Sequence, residues 1–164
     1  MNEHSIPSTT RVGLKYGFYI MVAYIVISLL FGEFVETIFL FIFTASISFG
    51  MLEFRRGNHD SMTYLQGFNL GMIVSAIFGI GLASLKALDV YVATPAEIAK
   101  EKERMMKNMQ AVYNFSDKDL ETQKAAYDFM FTPTGAFTQN LLAIMVIGLI
   151  VTLIMGLFMR RRAK

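Results

Sequence analysis

Cysteine and tryptophan are both absent from this sequence, and charge is scarce: Asp, Glu, Lys and Arg make up 17% of 164 residues. Without cysteine there is no disulfide, no thiolate nucleophile and no Cys-ligated metal site. Without tryptophan, any aromatic belt at a membrane interface must be built from Tyr and Phe. No Gly-rich phosphate loop ending in Lys-Ser/Thr occurs, nor His-Glu-x-x-His, nor a nucleophile elbow. No acid or base falls in the centre of any apolar run, which weighs against a proton-coupled carrier. The chain therefore reads as non-enzymatic, with no catalytic residue, no metal site and no cofactor.

What is present is apolar and clustered. Hydrophobic residues make up 54% of the chain and the mean hydropathy is +0.47, too apolar for an ordinary soluble domain. The expected fold is an all-α membrane protein with four transmembrane helices, and with a two-helix hairpin between spans 3 and 4. The expected organisation is an N-terminal arm over residues 1–12, spans 1–3 over 13–88, the hairpin over 89–136, and span 4 with a basic tail over 137–164. Span 1 covers residues 16–31. It is too long for the apolar core of a signal peptide, and no small-residue cleavage site follows. Gly32-Glu33-Phe34-Val35-Glu36 reads as a tight turn, and a short second span returns over 37–52. Residues 53–60 read as a compact polar connection.

The third run, GFNLGMIVSAIFGIGLASLKAL over residues 67–88, is the expected hub. Gly67, Gly71, Ser75, Gly79 and Ala83 recur at every fourth position, which on a helix stacks them along one face. Lipid gives helices no hydrophobic reason to associate, so close backbone approach along small residues is the main packing device. Span 4 carries Gly148, Thr152 and Gly156 at the same spacing.

Orientation follows from the cations. Arg11 and Lys15, then Arg55 and Arg56, then Arg160, Arg161, Arg162 and Lys164 all fall on one side of a four-span chain. The positive-inside rule puts that side, with both termini, in the cytoplasm. The inner membrane of a bacterium is the expected location. The opposite side then receives residues 89–136. Thr94 is a plausible N-cap with Pro95 at the first helical position of a helix ending near Tyr113. Asn114-Phe115 breaks it. Ser116 and Asp119 resemble a capping box opening a second helix, which stops before Thr132-Pro133. Ile98, Met105, Met109 and Val112 share one face of the first helix. Leu120, Tyr127 and Phe131, with Met130 alongside, share a face of the second.

Several constellations suggest chemistry, and each has a plainer explanation. Met105, Met106 and Met109 could hold soft Cu(I), but methionines at that spacing fill the apolar face of a helix. Arg55, Arg56, Arg160, Arg161 and Arg162 are candidate contacts for anionic lipid head groups, though they also serve as topology determinants. His59 beside Asp60 makes neither a metal site nor a triad. Glu33, Glu36 and Glu53 sit at span edges, and Lys86 is close enough to an end to snorkel. Gln66, Asn69, Gln139 and Asn140 could line a small cavity, or hydrogen-bond between helices.

Four stretches carry a family resemblance: YGFYIMVAYIVISLLFG, TYLQGFNLGMIVSAIFGIG, FMFTPTGAF, and the last span with its basic tail. Through them nearly the whole chain resembles the bacterial membrane proteins of domain of unknown function 4199. That resemblance implies no assigned activity and no catalytic residues. It also implies a setting near polyprenol-phosphate glycosyltransferases, which suits a small accessory subunit. The expected function is an accessory or scaffold subunit, with other membrane subunits or a second copy as partners in the bilayer, and no nucleic acid. The alternative is a small transporter or lipid-handling protein.

Overall fold

The structure is a computed structural model that describes residues 8–31, 34–113 and 117–160. The described residues are all-α: α1 Thr9–Phe31, α2 Phe34–Gly57, α3 Tyr64–Val92, α4 Pro95–Tyr113, α5 Asp117–Met130 and α6 Pro133–Met159. Four stretches are long and apolar enough to cross a membrane: Thr9–Phe31, Ile38–Gly57, Tyr64–Val92 and Pro133–Met159. At 1.5 Å per residue even the 20-residue one extends about 30 Å, the thickness of a bilayer's hydrocarbon core. The chain is thus a multi-pass membrane protein.

The helix ends are set by local chemistry. Ser8 caps α1, its Oγ accepting the Arg11 N–H at 3.1 Å, so residues 9–12 are helical and not part of an arm. Residues 34–36 belong to α2 rather than to a turn; Gly32 and Glu33 lie outside the described residues. α2 continues to Gly57, so the polar connection is shorter than the pattern suggests. It turns through His59 and Asp60, both with positive φ (51° and 55°), in the left-handed region that His and Asp tolerate better than most residues. Asn58 and Ser61 close this turn. The Asn58 amide donates to the Ser61 carbonyl at 3.0 Å, and the Ser61 hydroxyl donates to the Asn58 carbonyl at 2.8 Å.

Three further caps follow one logic, in which a hydroxyl satisfies an orphan N–H of the first turn. At α3, Thr63 and Gln66 form a reciprocal box: the Thr63 N–H donates to Gln66 Oε1 at 2.8 Å, and the Gln66 N–H donates to Thr63 Oγ1 at 3.2 Å. Thr94 and Glu97 repeat it at α4, with Pro95 at the first helical position and Tyr113 as the last residue. Thr132 caps α6, its Oγ1 accepting the Gly135 N–H at 3.0 Å, which starts the last helix at Pro133 rather than near Phe137. The break at Asn114-Phe115 and the proposed Ser116 cap lie outside the described residues.

The chain divides into two compact units, Met1–Gly81 with Leu142–Lys164, and Leu82–Leu141. In the first, contact register fixes the direction of each helix. Gly13, Gly17 and Met21 of α1 meet Ile73, Ile77 and Gly81 of α3, so these two run parallel. Gly67, Gly71 and Ser75 of α3 meet Gly156, Thr152 and Gly148 of α6, an antiparallel pair. Tyr16 of α1 meets Gly50 of α2, and Leu70 of α3 meets the same glycine. Phe43, Ile47, Met51, Leu70, Val74 and Phe78 form the closed centre, each fully buried. The second unit contains α4 and α5. Ile98, Lys102 and Met105 are the less exposed face of α4, and Tyr127 is buried on α5.

Candidate functional site

Two seams of small residues hold the first unit together. Along α3, Gly71 is filled by the side chain of Thr152, and Ser75 fills Gly148 in return. Gly67 lies against Gly156, a Cβ on it falling 3.7 Å from the Gly156 Cα. Thr152 and Ser75 are both fully buried. The Ser75 hydroxyl donates to the Gly71 carbonyl of its own helix at 2.8 Å, whereas Thr152 Oγ1 has no hydrogen-bond partner among the described residues. Gly79 and Ala83 continue the stripe and are buried as well. At Gly67, Gly71 and Ser75 the residues that α3 meets all belong to α6.

The second seam has a weaker sequence signal. Gly13 and Gly17 of α1 form a Gly-x-x-x-Gly notch that receives Ile73 and Ile77; a Cβ on either glycine would come within 2.8 Å of the isoleucine. Lys15 stands inside that motif and makes the stretch look like a polar approach to span 1 rather than part of it. Between α1, α2 and α3, Tyr24, Phe39, Phe43 and Phe78 form an aromatic cluster with ring centroids 5.5–6.3 Å apart. Both stacked and edge-on pairs occur, as ring quadrupoles prefer.

At one end of this unit, cations of α1 and α2 meet carboxylates. Lys15 Nζ contacts both oxygens of Glu53, at 2.9 and 2.7 Å, and the Tyr16 hydroxyl donates to Glu53 Oε2 at 2.9 Å. Glu53 is thus an α1–α2 clasp rather than a lone carboxylate. Arg55 Nε lies 2.8 Å from Asp60 Oδ1, an ion pair by distance at an angle that makes no hydrogen bond. Arg56 and Arg160 are exposed; Arg161 and Arg162 lie outside the described residues, as does Glu33.

The polar residues near the spans act mostly within their own helices. Gln66 is used in the α3 cap, and the Asn140 amide donates to the Ala136 carbonyl one turn back at 2.8 Å. Among the described residues neither makes an interhelical bond, one of the two expectations for them. Asn69 does line a groove, together with Thr9, Thr10 and four apolar residues, and Gln139 is exposed. Lys86 is half-buried, several residues inside the end of α3.

In the second unit, Lys102 of α4 reaches Asp128 of α5 at 2.7 Å and sits 5.6 Å from the Phe131 ring centre. The bond to Lys102 holds the Asp128 carboxyl below its ordinary pKa, and Lys107 does the same to Glu103. The Thr94 N–H, together with the Thr94 hydroxyl, does so at Glu97. Met105 is half-buried on the apolar face, Met106 is exposed, and the Met109 side chain lies outside the described ones. Among the described residues no group of three or more His, Asp or Glu gathers closely enough to hold a metal ion. The contacts described in both units join helices and pair charges. Comparison with curated proteins and with solved structures finds no match. A family model described as protein of unknown function (DUF4199) does match, over residues 15–161, and the chain belongs to that family.

Proposed function

We propose that this is a non-enzymatic subunit of a bacterial inner-membrane complex, an accessory or scaffold protein with both termini in the cytoplasm. The observation that carries this reading is how the spans use their side chains. Small residues, aromatic rings and the Lys15–Glu53 pair all join one helix to another within the chain, which supports a structural reading. The outward faces are then left apolar, with Phe18, Leu29, Phe41 and Phe158 all exposed. The second unit adds a different surface. On α4, Lys100, Glu101, Glu103, Arg104 and Lys107 are exposed, a mixed-charge face suited to a polar partner domain.

The cytoplasmic assignment rests on the gathering of Arg11, Lys15, Arg55, Arg56 and Arg160 at one end, taken with the positive-inside rule. Purification from native membranes in mild detergent, with crosslinking read by mass spectrometry, tests the subunit role. A recurrent membrane partner is the expected result, and a stable lone monomer overturns it. Reporter fusions at Lys164 test the orientation, and activity of an external reporter there would reverse it.

A further inference from the structure

We propose that the groove between α1, α3 and α6 is a binding site for one anionic glycerophospholipid. It is an open groove of about 390 Å3, within the range of roughly 300–1,000 Å3 typical of small-molecule sites. Contact register orders its lining. Gly13 of α1 stands level with Ile73 of α3, which places Thr9 and Thr10 level with Asn69 at one end of the groove. Met72, Ile73 and Ala76 lie deeper, and Met145 of α6 lies deepest, since Gly148 stands level with Ser75. From the level of Asn69 to that of Met145 is about 13 Å of helix rise. Two hydroxyls and an amide at the mouth, with only apolar side chains below, form the polarity gradient of a lipid: head group, then acyl chain.

Charge at the mouth selects the head group. Five described cations stand at this end, Arg11, Lys15, Arg55, Arg56 and Arg160, against the carboxylates Glu53 and Asp60. Lys15 and Arg55 are taken up by those two carboxylates, which leaves Arg11, Arg56 and Arg160 to act on a head group. Arg11 follows Thr10 directly, and Arg160 stands one turn beyond Gly156, whose own neighbour is Tyr64 at the start of α3. Cations just outside a span attract anionic head groups. The groove's floor argues against a partner helix as the occupant. Helices dock in lipid on small residues, and the glycines of both seams are already filled by Ile73, Ile77, Thr152 and Ser75. What the groove offers instead is Met72 and Met145, whose flexible side chains adapt to an acyl chain.

The test uses the full chain, delipidated in mild detergent and titrated with phosphatidylglycerol or with phosphatidylcholine of the same acyl chains, read by native mass spectrometry. One phosphatidylglycerol should be retained, with at least about tenfold preference over phosphatidylcholine, a difference of ~1.4 kcal/mol. Ala76→Phe, which fills the groove, should weaken retention about tenfold, and Arg11→Gln, which removes the cation beside Thr10, should weaken the head-group preference. Should Ala76→Phe fail to fold, a phosphatidylglycerol with a photoreactive acyl chain, crosslinked to the unaltered protein, reports the same thing. Its label should fall on residues 69–76 and on Met145. Equal retention of the two lipids overturns the proposal. So does undiminished retention by a folded Ala76→Phe variant, a label spread over the outer face of α6, or a polypeptide found in place of lipid. Of these outcomes only a polypeptide in the groove would also speak to a protein partner, and it would favour the subunit reading while overturning this one, so the two fail separately.

Discussion

Thr152 of α6 occupies the space that a side chain at Gly71 of α3 would need, and it does so fully buried and with its hydroxyl unpaired among the described residues. Shape and polarity are at odds at this contact. The threonine fits the notch, but its oxygen is removed from water without a partner.

Two substitutions separate these effects. Gly71→Leu should destabilise the bundle by about 1–3 kcal/mol or prevent assembly, since the leucine and Thr152 cannot both be accommodated. Thr152→Val keeps the shape and removes the orphan hydroxyl, so it should be neutral or stabilising by up to about 1 kcal/mol. Unfolding in a mixed detergent series measures both. A destabilised Thr152→Val would show that the hydroxyl is bonded in the bilayer.

The α1–α3 seam makes a parallel claim about a motif that begins beside the N-terminus. Gly17→Leu should cost as much as Gly71→Leu, about 1–3 kcal/mol, because the atom it meets is the Ile77 Cβ, bonded directly to the backbone, with the Val74 carbonyl oxygen beside it. Leu14→Ala, on an exposed position of the same helix, is the control and should change little. Equal stability of Gly17→Leu and wild type would show that α1 does not pack on α3 through this face.

The Lys15–Glu53–Tyr16 clasp should be measurable as a coupling. A double-mutant cycle on Lys15→Met and Glu53→Gln should give a coupling distinguishable from zero. Tyr16→Phe should remove a further ~1 kcal/mol by deleting one charge-assisted hydrogen bond. A coupling indistinguishable from zero would make the clasp a contact without energetic weight.

In the second unit the Asp128 carboxyl, held low by Lys102, should titrate below the ordinary Asp value of about 3.9. Because its folded pKa is depressed, the stabilisation is fully present above the unfolded value and is lost as pH falls through the folded one. Carboxyl-carbon NMR of the protein in nanodiscs reads the midpoint. Lys102→Met should return it to the ordinary range, and an unchanged midpoint would show that another group holds it.

Sequence alone determined the all-α class and the number of apolar spans. It also placed Thr94, Pro95 and Tyr113 at the ends of α4, and the stop before Thr132-Pro133. Each is a local property: twenty apolar residues must be helical in lipid, and a hydroxyl ahead of a first turn meets an orphan N–H whatever lies elsewhere. Tertiary structure decided that Thr152 fills Gly71, that Ile73 and Ile77 enter the Gly13–Gly17 notch, and that Asn69 opens a groove instead of bonding across helices. The spans are apolar all round, so their sequences carry little record of which side meets protein and which meets lipid. That choice is made by shape complementarity between helices distant in sequence, and it exists only once they are packed.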